Sequence, residues 1–162
     1  MNKTLRVLGL AVAIGLGQNS AIAADHPELT EADEAYSAEN YAKAATLYRK
    51  DAELGVIVAQ VNLAFLYLDG LGVAQDFQQA AKWFLQAAEQ GNAEAQNNIA
   101  QLYLDGKGVA QNAVEAVKWF IIAGAFQSAA GAEKTLSQEK VAEARKLAAE
   151  WTANFKKAKG AK

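Results

Sequence analysis

A thirty-residue block of this chain occurs twice. Ala59 to Ala88 (AQVNLAFLYLDGLGVAQDFQQAAKWFLQAA) returns 36 residues later as Ala95 to Gly124, with eighteen of thirty aligned positions identical. YLDGxGVAQ and KWF recur intact. A period in the mid-thirties marks stacked helix pairs, because one hairpin of that size cannot bury its own apolar face and must lean on the next. The repeat therefore predicts an all-α helix-turn-helix solenoid.

Each copy divides at its glycines. Leu63, Leu66 and Tyr67 recur at three- and four-residue steps and mark a first helix. Gly70 and Gly72, with Gly106 and Gly108 in the copy, suit a chain leaving a helix through backbone angles closed to other residues. Val73 is expected in the core, and Asp76 or Asn112 is placed to cap the second helix, which runs Phe77 to Glu89 and is closed by Gly91. On that helix Ala80, Trp83, Phe84 and Ala87 share a face, and the copy supplies Ala116, Trp119 and Phe120. Small residues let helix axes approach, while Trp83, Phe84, Tyr67 and their counterparts, including Tyr103, fill the space beside them.

Upstream, Tyr41 to Gly55 repeats the second-helix pattern, with Gly55 thirty-six residues before Gly91. Its partner, about Glu31 to Ala38, is short and joins through Glu39-Asn40, as suits an end unit with one side in water. Downstream the pattern frays after Phe126, and a last helix begins near Ser137. Val141, Ala144, Leu147, Ala148, Trp151 and Phe155 form its apolar stripe, and its opposite face is polar. This organises the chain as a leader (1–23), a degenerate N-terminal unit (24–56), two repeats (57–92 and 93–127), a C-terminal capping region (128–155) and a basic tail (156–162) expected to be unstructured.

The leader reading rests on Lys3 and Arg6, an apolar run from Val7 to Leu16, and Ala21-Ile22-Ala23, the layout of a secretory signal peptide cleaved after Ala23. The apolar run is about half the ~20 residues a spanning helix requires. An exported, periplasmic or extracellular product without an integral membrane segment is the expectation. Residues 24–162 carry 14 basic and 18 acidic side chains, and four of the cations lie in the last seven residues. A body so acidic repels a phosphate backbone, so nucleic acid is not the expected partner. With no cysteine, stability must come from apolar packing alone.

These residues resemble the Sel-one-like repeat, a relative of the tetratricopeptide repeat. Its pattern of an alanine, a leucine, a tyrosine, G-x-G-V, an aspartate, W-[FY] and a closing A-A-x-x-G is met by residues 59–91, and again by 95–124 with Asn112 at the aspartate and Gly124 at the second alanine. Ala64 and Ala100 stand where that family often has glycine, and Ala74 and Ala110 where it often has proline. The resemblance implies a right-handed α-helical solenoid that binds proteins or peptides; it does not imply an enzyme, and none is expected. It also implies that outward positions of the first helices touch the partner: Val61, Phe65, Leu68 and Asp69, then Asn97, Gln101, Leu104 and Asp105. Positions that differ between the copies (Val61 and Asn97, Phe65 and Gln101, Leu71 and Lys107) are released from the packing demand both units share. Phe65, flanked by Val61 and Leu68, is the natural apolar anchor.

Other chemistry finds little support. His26 is the sole histidine, so no second histidine or cysteine completes a metal site with it. The GLG and GKG stretches lack the Lys-Ser/Thr of a phosphate loop and follow a helix, not a strand. Asp69 and Asp105 sit one repeat apart, on the order of 10 Å, loose for shared acid–base work. Trp83 and Trp119 read as core residues, not ligand platforms. No catalytic residue and no cofactor is expected. Two other readings accompany the adaptor: an envelope enzyme of the β-lactam-binding type, which its cysteine-rich relatives suggest and the lack of cysteine opposes, and a subunit that self-assembles through the solenoid ends. The sequence sets no oligomeric state.

Overall fold

The computed structural model describes residues 27–160, and among these there are eight helices and no strand. They are α1 (Pro27–Ser37), α2 (Tyr41–Glu53), α3 (Ile57–Asp69), α4 (Phe77–Glu89), α5 (Ala93–Asp105), α6 (Ala113–Ile122), α7 (Phe126–Glu133) and α8 (Gln138–Gly160). The leader and His26 lie outside the described residues.

Each helix from α1 to α7 packs chiefly on its neighbours in the chain, and α8 turns back onto α6. That is the contact pattern of a one-dimensional stack, in which each hairpin is sheltered by the next. The core is continuous along it. Alanines 44, 59, 64, 80, 87, 95, 100 and 116 have no exposed surface, and Tyr48, Phe84, Phe120, Leu63, Leu66 and Ile99 fill the space between them. Trp83 and Trp119 are 6% and 3% exposed. Residues this small let the helix axes close, and the large rings restore interior packing density.

The helix ends are made by the residues their chemistry requires. Gly70 (φ 68) and Gly106 (φ 66) terminate α3 and α5 in the left-handed conformation, their N–H groups donating to Leu66 and Leu102 carbonyls. Asp76 Oδ1 accepts from the backbone N–H groups of Gln78 (2.9 Å) and Gln79 (3.0 Å), and Asn112 does the same for Val114 and Glu115. Val73 is half-buried against the core. In the end unit the turn passes through Glu39 (φ 58), the positive-φ residue that replaces the glycine pair, and Asn40 caps α2 through the Lys43 N–H.

Two features depart from the sequence expectation. The frayed stretch after Phe126 forms α7, an eight-residue helix that packs on α6. Residues 156–160, expected to be unstructured, are the last turn of α8. Alanine and lysine are strong helix formers, cations suit a helix C-terminus, and Lys159 Nζ lies 5.0 Å from the Phe155 ring centre.

Candidate partner-binding surface

Positioning of the surface begins at the joint between units. The second glycine of each pair lies against the preceding unit's second helix. A Cβ at Gly72 would strike the Tyr41 carbonyl and the Ala42 nitrogen, and one at Gly108 would strike the Phe77 carbonyl. Gly72 (φ 69) and Gly108 (φ 72) also need left-handed angles, so glycine is required there twice over. Lys107 adds a cation over the Phe77 ring, 5.9 Å from its centre.

On the other side of the stack a buried glutamine ties each first helix to the helix before it. Gln60 Nε2 donates to the Ala52 carbonyl at 3.1 Å, and Gln96 Nε2 to the Ala88 carbonyl at 3.0 Å. Both side chains are 3% exposed. These two residues were not singled out from the sequence, although their identity in both copies was a usable signal. Each adds a side-chain donor to a helix-terminal carbonyl that also accepts from the N–H of the turn glycine, Gly55 or Gly91. Tyr67 and Tyr103 stand near the same joints and are half-buried. Tyr67 Oη accepts from Arg49 at 2.9 Å, while burial, reinforced by the nearby Glu115 and Glu89 carboxylates, raises the Tyr103 hydroxyl pKa.

With the units so stacked, the outward positions of α3 and α5 take different environments. Val61 is 5% exposed and belongs to the core, so it is not the outward position that the resemblance assigned. Its copy, Asn97, is exposed. Both first helices lie between two others, and the apolar valine is taken into that packing while the polar asparagine keeps its amide in water. Phe65 is half-buried, with its ring edge-to-face on the fully buried Phe84 of the same unit at 5.0 Å and 84°. It is held from within its own hairpin, and part of it still reaches solvent. Leu68 and Leu104 are half-buried, and Asp69, Gln101 and Asp105 are exposed. Gln101 Nε2 donates to Asp105 Oδ1 at 2.9 Å, and Lys107 pairs with Asp105 at 3.7 Å. Taken by their equivalent positions in the two repeats, these side chains make up a candidate strip, apolar at Phe65 and Leu68 on α3 and polar at Asn97, Gln101 and Asp105 on α5.

Such a strip can hold an extended or helical segment by one aromatic anchor and several hydrogen bonds. Among the described residues no group of three or more His, Cys, Asp or Glu is placed to hold a metal, and no helix is long and apolar enough to cross a membrane.

The Sel1 repeat family model matches residues 57–92 and 93–125. No curated protein matches the chain. Among solved structures, a protective antigen present in uropathogenic Escherichia coli strains, displaying an SLR fold, is similar at a TM-score of 0.75 and 27% identity, over 95% of this chain and 34% of that one. A Sel1 repeat protein from Oxalobacter formigenes is similar at a TM-score of 0.56 and 33% identity, over 76% of this chain and 55% of that one. The chain thus spans about a third of the first protein and about half of the second. From the matched repeats, the GxG joints and the shared all-helical stack, the chain carries two Sel1 repeats, residues 57–92 and 93–125, within an SLR-type α-solenoid.

Proposed function

We propose that the chain is an exported adaptor that binds a peptide or protein segment along the first helices of its repeats. Sel1-repeat folds generally serve protein–protein interaction, and the residues in the strip give that general role a local chemistry. What supports the reading is the half-buried Phe65 and Leu68 on α3 together with the exposed Asn97, Gln101 and Asp105 at outward positions of α5, the next first helix. A partner segment with one bulky apolar residue, followed by a stretch rich in backbone or amide hydrogen-bonding groups, fits that gradient. Export rests on the layout of residues 1–23, with the periplasm as the expected compartment.

The test places a photo-crosslinking residue at Gln101 or Asn97 in cells making the full chain, with an exposed α8 position such as Glu143 as control. A partner captured from the strip, and lost when Phe65 is changed to serine, supports the reading. Equal capture from the α8 control, or capture indifferent to Phe65→Ser, refutes it. Export is checked separately by N-terminal sequencing of the protein recovered from the periplasm, with Ala24 expected as the first residue.

A further inference from the structure

Charge in this protein is sorted by helix. The first helices α1, α3 and α5 carry seven carboxylates and no lysine or arginine, whereas their partners α2, α4 and α6 carry five cations and four carboxylates. In the end unit, α2 answers two of the seven: Lys43 lies 2.8 Å from Glu31 and Lys50 3.2 Å from Glu28. The repeats differ. On α5, Glu94, Asn97, Gln101 and Asp105 follow at steps of three and four residues and so share one face, with a carboxylate at each end about 16 Å apart along the axis. On α3, Phe65 and Asp69 hold the registers of Gln101 and Asp105, and Asp33 on α1 stands 36 residues before Asp69. Asp69 and Asp105 are the final residues of α3 and α5, where the helix dipole disfavours a carboxylate, so helix formation does not account for them. The field of Asp69 reaches the preceding unit: after burial and Tyr41, that carboxylate helps raise the Tyr36 hydroxyl pKa. Two cations border these helices. Arg49 of α2 donates to the Tyr67 hydroxyl, and Lys107, which stands where the first repeat has Leu71, pairs with Asp105 in an exposed contact of small strength.

We propose that the first-helix face selects a cationic partner, a segment of another protein that sets lysines or arginines on both sides of one bulky apolar residue. The inference rests on the adaptor reading and adds the sign of the partner's charge to it. The apolar residue meets Phe65 and Leu68, and the cations meet Asp69, Asp105 and Glu94. Helices free of any cation of their own hold a field of one sign, which gathers a basic segment, speeds its arrival and turns an acidic one away. A second copy of the chain is a poorer occupant. Its basic stretch, Lys156, Lys157 and Lys159, follows a Phe155 already stacked on Trp151 and set against Gly91, so it brings charge without a free apolar anchor.

The probes are three fluorescein-labelled peptides of about a dozen residues, each with one central phenylalanine on a glycine and glutamine background. They differ at four flanking positions, which are all lysine, all glutamine or all glutamate. Each is titrated with the full chain and read by anisotropy. The lysine peptide is expected to bind about tenfold tighter than the glutamine peptide and the glutamate peptide not at all, with the lysine advantage shrinking as salt rises from about 50 to 500 mM. The double variant Asp69→Asn, Asp105→Asn keeps the size of two exposed side chains, and far-UV circular dichroism checks its fold. It is expected to reduce the lysine advantage severalfold and leave the glutamine peptide unchanged. A lysine advantage of the same size in that variant overturns the inference. Equal binding of the lysine and glutamine peptides, both lost in Phe65→Ser, overturns it and leaves the adaptor reading standing. No saturable binding of the lysine peptide by about 1 mM also overturns it alone, since the adaptor reading is decided by crosslinking from Gln101. Self-association of the chain that disappears in the double variant would give the face to a second copy's lysines and equally overturn it.

Discussion

Replacing Gly108 by alanine isolates the energy of the joint between repeats. Gly106 and Gly108 have nearly the same backbone angle, φ 66 and 72, so alanine at either pays a similar left-handed penalty of about 1–2 kcal/mol. They differ in surroundings. A Cβ on Gly106 meets the Gln111 Cβ at 3.1 Å, a tight contact with a side chain that can shift. A Cβ on Gly108 runs into the Phe77 carbonyl and lies 2.7 Å from the Gln78 nitrogen, backbone atoms held in the first turn of α4. Either the second repeat slides off the first or α4 loses its N-terminal turn, an overpacking cost of about 1–3 kcal/mol or more. Gly106→Ala should therefore cost ~1–2 kcal/mol and Gly108→Ala ~2–5. The same ordering is expected for Gly70→Ala and Gly72→Ala, where the struck atoms belong to Tyr41 and Ala42. Urea denaturation followed by tryptophan fluorescence and by circular dichroism measures all four, with coincidence of the two signals checking that unfolding is cooperative. Equal losses within each pair would refute the reasoning, since the joint would then carry no energy of its own.

Other outcomes follow from the same geometry. Trp83→Ala and Trp119→Ala should each cost ~3–5 kcal/mol as truncations of buried rings, with Trp119→Ala the larger because it also strips Trp151 of an aromatic partner, ~0.5–1.5 kcal/mol; equal melting shifts would contradict this. Val61→Ser should destabilise by ~1–3 kcal/mol while the exposed Asn97→Ser is near neutral, and an equal, small effect at both would return Val61 to the surface. Tyr48 donates to Asp33 Oδ1 at 2.6 Å, and burial, aided by that carboxylate, holds the Tyr48 hydroxyl well above its ordinary pKa of 10.0. Because the folded value is raised, this contribution is fully present below pH 10 and drains away above it, as the unfolded tyrosine ionises and the folded one keeps its proton. Denaturation free energy should fall above pH 10, and less steeply in Tyr48→Phe; an unchanged slope in that variant would exclude Tyr48 as a source.

The periodic parts of this protein were legible in advance because repetition supplies its own control. Residues identical in both copies are those every unit needs, and the Gly70 and Gly106 ends, the Asp76 and Asn112 caps and the Trp83 and Trp119 interiors follow from local backbone chemistry that travels with the sequence. The aperiodic parts were less so. With no second copy to compare, the short α7 read as fraying, and the helical turn at 156–160 was hidden behind its charge. The candidate strip was partly readable: the resemblance pointed to the right helices, yet could not separate Val61, enclosed by the flanking helices, from its exposed counterpart Asn97.

What the chain determined by itself was that hairpins of this length and composition must stack, since neither copy can shelter its apolar face alone. Only the tertiary structure decided what covers each unit. The return of α8 onto α6 sets Trp151 against Trp119 and Phe155 against Gly91, whereas a Cβ on Gly55, the equivalent of Gly91, meets nothing within 4 Å. A repeat specifies identical units, but ends break the symmetry, and contacts between residues more than thirty positions apart are written nowhere in the local pattern.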